Sequence, residues 1–86
     1  MNIEEIVDEA IKEYNKYRVP EVEAKLVSFQ DESLIIRFSG SFCKTCGYYD
    51  YFDDFRFLLE HEYGLTAEIQ QIQETSEGGV VEFAVS

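Results

Sequence analysis

The sequence has few basic side chains, and this shortage excludes two classes of partner. It contains 7 Lys and Arg residues against 18 Asp and Glu residues, which gives a formal net charge of −11. Binding to nucleic acid needs clustered Lys and Arg to neutralise phosphates, and docking on an anionic lipid surface needs a similar patch. We therefore expect no nucleic-acid partner and no membrane partner.

Long apolar runs and targeting signals are also missing. No stretch approaches the roughly 20 apolar residues of a membrane-spanning helix. The acidic start MNIEEIVDEA lacks the basic region and apolar core of a signal peptide. These absences predict a cytoplasmic protein, and in a reducing compartment two cysteines are more typical of a metal site or a redox pair than of a structural disulfide.

Recognisable catalytic motifs are absent as well. The sequence has no phosphate-binding loop and no GxSxG nucleophile elbow, and its single histidine, His61, belongs to no Ser-His-Asp set. This pattern favours a non-enzymatic role.

Apolar content is high enough for a folded domain. The hydrophobic fraction is 45% and the aromatic fraction 15%, whereas disordered acidic tails are poor in aromatics. Residues 1–86 form a single domain on this interpretation. A chain of this size buries only about 60–65% of its unfolded surface, so a second copy or a bound ion would add stability.

Apolar periodicity predicts six elements in the order α-β-β-α-β-β. The predicted helices span 3–18 and 49–63, and the predicted strands span 21–29, 34–39, 65–73 and 80–85. Asn2 is the expected N-cap of the first helix, and Gly64 is the expected left-handed C-cap of the second. The expected fold class is α+β, with a four-stranded, mainly antiparallel sheet and both helices on one face. The two halves share one plan at an offset of about 45 residues.

The most specific motif is Cys43-Lys44-Thr45-Cys46, a CxxC between a predicted strand and a predicted helix. The N-terminus of a helix exposes N–H groups and a partial positive charge, which favour the thiolate form. One CxxC supplies two ligands, whereas zinc or an iron–sulfur cluster usually takes four. Because about eleven helical residues, roughly 16–20 Å, separate His61 from the motif, a four-ligand site requires two chains.

Two families resemble parts of this sequence. The segment LIIRFSGSFCKTCGYYDYFDDF resembles the strand-CxxC-helix part of thioredoxins, but the only proline, Pro20, precedes the motif instead of following it. Residues 3–73 resemble the C-terminal domain of NifU-like iron–sulfur scaffold proteins, with helix, strand, strand, CxxC loop, helix and strand, and with Gly40 ahead of the cysteines. That resemblance implies that two chains share a cluster, with Cys43 and Cys46 as ligands.

Three functions remain open for the cysteines and their surroundings. The first is binding of zinc or an iron–sulfur cluster across a homodimer. The second is an acidic calcium-binding or protein-interaction module in which the cysteines are incidental, since Cys is often simply a small buried residue. The third is a dithiol redox protein, which requires a low thiol pKa.

A second candidate site is acidic. Tracing the strand directions places three acidic segments at one end of the molecule, where several carboxylates could hold Ca²⁺ or Mg²⁺ through oxygen ligands. A solvated acidic surface is the alternative. The carboxylates concerned are Asp31, Glu32, Glu4, Glu5, Glu60 and Glu62.

A partner surface is expected on the sheet face that points away from the helices. An apolar patch there favours a homodimer, although scattered exposed apolar side chains would look similar in sequence. The residues assigned to this patch are Val27, Phe29, Ile35, Ile72 and Val80. Tyr48 and Tyr49, beside the cysteine loop, belong to a dense aromatic run that suits a protein contact.

Overall fold

The computed structural model describes residues 2–18, 22–40 and 48–86 of the chain. Two helices and four strands follow one another in the predicted order, so the α+β fold class is confirmed. In chain order they are α1 (Ile3–Arg18), β1 (Val22–Gln30), β2 (Ser33–Gly40), α2 (Tyr48–Tyr63), β3 (Ala67–Thr75) and β4 (Gly78–Val85).

Both predicted caps are present. The Glu5 backbone N–H donates to Asn2 Oδ1 at 2.8 Å, which satisfies one of the unpaired donors at the start of α1. Gly64 has φ 67°, and its N–H donates to the Glu60 carbonyl at 3.2 Å. A left-handed glycine therefore ends α2 and turns the chain toward β3.

The described strands form one sheet in the order β1-β2-β4-β3, with every neighbouring pair antiparallel. The two hairpins lie side by side, and β2 and β4 form the centre. Alternate residues of these central strands point to the helices and are fully buried, among them Leu34, Ile36, Phe38, Val81 and Phe83. The Phe38 ring lies 4.9 Å from the Phe52 ring and 5.7 Å from the Tyr14 ring, so aromatic side chains fill the space between sheet and helices.

The two halves of the fold are equivalent element by element. Each helix and each strand of the second half begins and ends 45 positions after its counterpart in the first, which confirms the predicted pseudo-repeat. The pairing of β2 with β4 is symmetric about the Ile36–Val81 pair, from Ser33 opposite Ala84 to Ser39 opposite Gly78. A local twofold axis therefore passes through that central pair.

Side-chain volume differs between equivalent core positions. Ala10 of α1 and Phe55 of α2 are both fully buried, although one is much larger than the other. The two halves therefore bury side chains of different size at equivalent places.

Both edge strands contain a bulge. In β1 the pairing with β2 skips from Leu26 to Ser28, and in β3 the pairing with β4 skips from Ile69 to Gln71. One extra residue in an edge strand increases the local twist and disrupts the regular pattern of backbone groups that another strand would need. Within the described residues, neither helix is long and apolar enough to cross a membrane.

Candidate functional site

Cys43 and Cys46 lie outside the described residues, but the segments on either side of them are described. β2 ends at Gly40 and α2 begins at Tyr48. The Gly40 N–H donates to the Glu77 carbonyl at 3.0 Å, which joins the end of β2 to the turn between β3 and β4. The connection that carries the CxxC therefore starts from a central strand, at the end of the sheet where the second hairpin turns.

The six carboxylates of the predicted cation site do not come together as expected. Among residues 2–18, 22–40 and 48–86 there is no group of three or more His, Cys, Asp or Glu side chains that could hold a metal ion. Glu60 has structural partners instead: its Oε1 accepts from Arg56 Nη1 at 3.0 Å, and its Oε2 accepts from the Ala67 N–H at 3.4 Å. This carboxylate ties the end of α2 to the start of β3.

Asp31 and Glu32 have acidic neighbours other than the predicted ones. They line an open depression of about 410 Å³ together with Glu68 and Glu82 of the second hairpin. Glu82 has a hydrogen-bond partner there, since Ser33 Oγ donates to its Oε2 at 2.7 Å. Sequence reasoning missed this neighbourhood because it results from the placement of β4 beside β2.

Two residues of the predicted sheet-face patch lie on the opposite face. Phe29 pairs with buried Leu34, and Ile72 pairs with buried Val81. Both side chains pack against the core, so their assignment to the open face was wrong. The cause is the bulge in each edge strand, because a single extra residue reverses the face of every residue after it.

The open face of the sheet retains a smaller apolar centre. Ile35 and Val80 are half-buried and line a shallow depression of about 130 Å³. Arg37 lies opposite Val80 in the ladder, and Glu82 lies opposite Ile35. Val27, the extra residue of the β1 bulge, is 52% exposed. The open face is therefore a mixed surface with two apolar side chains between opposite charges.

Aromatic side chains are exposed on α2. Tyr49 is 61% exposed and Phe57 46%, whereas Tyr51 packs against the core. The side chain of Tyr48 is outside the described part of the chain. Tyr49, which the sequence assigned to a partner surface, is therefore exposed, and so is Phe57.

Phe57 belongs to a stack that the sequence analysis did not identify. The Arg56 guanidinium lies 4.5 Å from the Phe57 ring centroid, and the His61 ring stacks on Phe57 at 5.4 Å with an interplanar angle of 27°. Arg56 Nε also donates to Asp53 Oδ1 at 3.1 Å. The hydrogen bond to Asp53, together with the charge of Glu60, raises the pKa of the Arg56 guanidinium. The i, i+4 spacing of Phe57 and His61 was the available signal.

Comparisons of the chain with family models, with curated proteins and with solved structures found no match. Any function is therefore argued from the residues of this chain.

Proposed function

We propose that this chain is a small non-enzymatic protein that binds zinc or an iron–sulfur cluster through Cys43 and Cys46, with a second copy supplying the other two thiolates. The observation that carries the proposal is the CxxC itself, placed between a strand and a helix. Thiolates are soft donors that suit Zn²⁺ and iron–sulfur clusters. Two thiolates make half of a four-ligand set, so a second copy completes it.

The described flanks of the motif support this role. β2 ends three residues before Cys43 and α2 begins two residues after Cys46. The first N–H groups of α2 have no partner within the helix and favour negative charge near its N-terminus. An anchored strand on one side and a helix N-terminus on the other fit a site that holds thiolates.

The order of elements also supports the resemblance to the C-terminal domain of NifU-like scaffold proteins. The first five elements of the chain run α, β, β, α, β, as the resemblance implies. The additional strand, β4, pairs with both β2 and β3 and so extends the sheet from within. The resemblance implies that two chains share one cluster. This agrees with the ligand count, because each chain supplies two of the four thiolates.

The open face of the sheet is the surface we assign to the homodimer. Ile35 and Val80 supply apolar contact, and Arg37 and Glu82 supply opposite charges that a second copy could pair crosswise. Four strands at about 4.8 Å spacing and eight residues at about 3.4 Å give a face of roughly 500 Å². Stable interfaces bury about 800 Å² on each partner, so we expect the dimer to depend on the shared metal.

Metal analysis and native mass measurement of anaerobically purified protein test the proposal. We expect bound zinc or iron in a dimer, and loss of both metal and dimer when Cys43 and Cys46 are replaced by Ser. Thr45→Ser is the matched control, because it changes the motif without removing a ligand. A metal-free monomer would contradict the proposal. If its thiols had a low pKa the dithiol redox function would be favoured, and a thiol pKa near the ordinary value of about 8.5 would argue against both functions.

A further inference from the structure

The outward side of α2 differs from the outward side of α1, although the two helices occupy equivalent places. Both have 16 residues, and α2 lies 45 positions after α1. Tyr49 and Phe57 are exposed on α2. The equivalent positions of α1 are occupied by Glu4 and Lys12, which are also exposed.

Comparison of the two helices shows whether the fold itself requires aromatic residues at these two positions. α1 packs on the same sheet with charged residues at these two positions, so the architecture does not require aromatic side chains there. Tyr49 and Phe57 leave 61% and 46% of their surface in solvent, which adds apolar area to a solvated surface. Tyr and Phe are, in contrast, enriched where proteins meet.

The surroundings of Phe57 are acidic. The α2 sequence contains five carboxylates, Asp50, Asp53, Asp54, Glu60 and Glu62, and a single Arg. That cation, Arg56, is already bonded to Asp53 and Glu60. The formal net charge of α2 is therefore −4, with the Arg56 guanidinium on the Phe57 ring.

We propose that the outward side of α2, which we call the α2 surface and define by Tyr49, Asp53, Phe57 and His61, is a docking surface for a basic segment of another protein. Lys or Arg side chains of that segment meet the carboxylates, and their aliphatic stems lie on the exposed aromatic rings. A basic segment is the expected partner because its positive charge is complementary to the negative charge of α2. A second copy of the chain would place like charges opposite one another, which disfavours binding.

This proposal does not depend on the cysteines. The α2 surface is built from described residues of one helix, whereas the proposed metal site uses Cys43 and Cys46. Docking should therefore persist in the metal-free variant in which both cysteines are replaced by Ser. Measuring both forms makes failure of one proposal distinguishable from failure of the other.

Binding of a labelled synthetic peptide, an amphipathic helix composed of Leu and Lys, tests the proposal with the full-length chain. Fluorescence anisotropy would give the dissociation constant at low and at moderate salt. We expect binding that weakens as salt rises, and that Phe57→Ser weakens about tenfold. Tyr17→Ser is the matched control, because Tyr17 is 69% exposed on α1, and it should leave binding unchanged.

A second pair of variants separates a specific surface from general attraction to an acidic protein. Asp53→Asn should weaken binding more than Asp8→Asn, its equivalent on α1, although each removes one negative charge. Phe57→Lys, which copies the α1 residue Lys12, should keep the fold and reduce binding, as circular dichroism and anisotropy would show. Equal effects of the α1 and α2 variants, or no measurable binding, would overturn the proposal.

Discussion

The side-chain amide of Asn15 is hydrogen-bonded to both backbone groups of Ala24. Asn15 Nδ2 donates to the Ala24 carbonyl at 3.0 Å, and Asn15 Oδ1 accepts from the Ala24 N–H at 2.7 Å. Ala24 lies in an edge strand, so the amide of α1 takes the place of a neighbouring strand there. Glu60, at the equivalent position of α2, bonds in a related way to the backbone of β3 at Ala67.

Replacement of Asn15 by Ala should lower the free energy of unfolding by about 1–3 kcal/mol, because it leaves two partly buried backbone groups without partners. Urea denaturation would measure the change. Lys16→Ala in the same turn is the control and should have an effect within about 0.5 kcal/mol. A loss for Asn15→Ala as small as that of the control would show that water replaces the amide.

Replacement of Glu32 by Gly should raise the free energy of unfolding by about 0.5–1 kcal/mol. Asp31 and Glu32 form a two-residue turn with φ values of 49° and 66°, a conformation that disfavours a side chain and favours Gly. Glu77→Gly is the matched control, because Glu77 holds the equivalent position of the second hairpin without a positive φ. The control should be destabilised, and Glu32→Gln would separate the effect of charge. A lower thermal midpoint for Glu32→Gly than for the wild type would contradict the claim that the positive φ of Glu32 costs stability.

Stability should fall in alkaline solution partly through Tyr63. Burial raises the pKa of the Tyr63 hydroxyl, and the negative charges of Glu13, Glu9 and Glu62 raise it further. The unfolded chain, with a Tyr pKa of about 10, then loses the proton first, so the contribution of Tyr63 to stability is complete below pH 10 and is lost above it.

The Tyr63→Phe variant tests this dependence. Its free energy of unfolding should decline less steeply than that of the wild type between about pH 9 and about pH 11. Tyr17→Phe, at an exposed position of α1, should decline in parallel with the wild type. If the free energy of unfolding declined in parallel with pH for all three proteins, Tyr63 would not contribute to the loss of stability in alkaline solution.

Deletion of Val27 should leave a cooperatively folded protein. Leu26 pairs with Ile36 and Ser28 with Ile35 on either side of the bulge, so the deletion removes the extra residue without reversing any face. We expect a change in stability of less than about 1.5 kcal/mol, measured by urea denaturation. Deletion of Ile35 is the contrasting case, since it turns one part of β2 outward and should abolish the cooperative transition.

Apolar periodicity was sufficient to predict the helices and strands. It was not sufficient to predict which face of the sheet each residue of the edge strands occupies. The helix at 3–18, the caps Asn2 and Gly64 and the 45-residue offset all depend on local patterns, which the sequence displays directly. Phe29 and Ile72 were assigned to the wrong face because a bulge needs no special residue type, and neither Val27 nor Gln70 marks one. The predicted strands left four residues, 30–33, for the first turn, whereas the structure has only Asp31 and Glu32 there. Asp-Glu is not the usual pair for a two-residue turn.

The candidate sites divide in the same way. The CxxC is a local motif and could be recognised from spacing alone. The acidic residues near Asp31 depend on the sheet order β1-β2-β4-β3, which brings Glu68 and Glu82 close by instead of the helix ends. The strand order is determined by tertiary packing. The residues that lie near Asp31 could therefore not be predicted from one sequence.

The symmetric pairing of Ile36 with Val81 has a consequence for folding kinetics. Each hairpin joins strands that are adjacent in the chain, and such local pairing forms within microseconds. The contact of β2 with β4 joins residues 39 to 51 positions apart, and closing a loop of that length has an entropic cost that the local hairpins avoid. The rate-limiting step should therefore be the alignment of two preformed halves, and core mutations at Ile36 or Val81 should slow folding more than equally destabilising mutations within either hairpin.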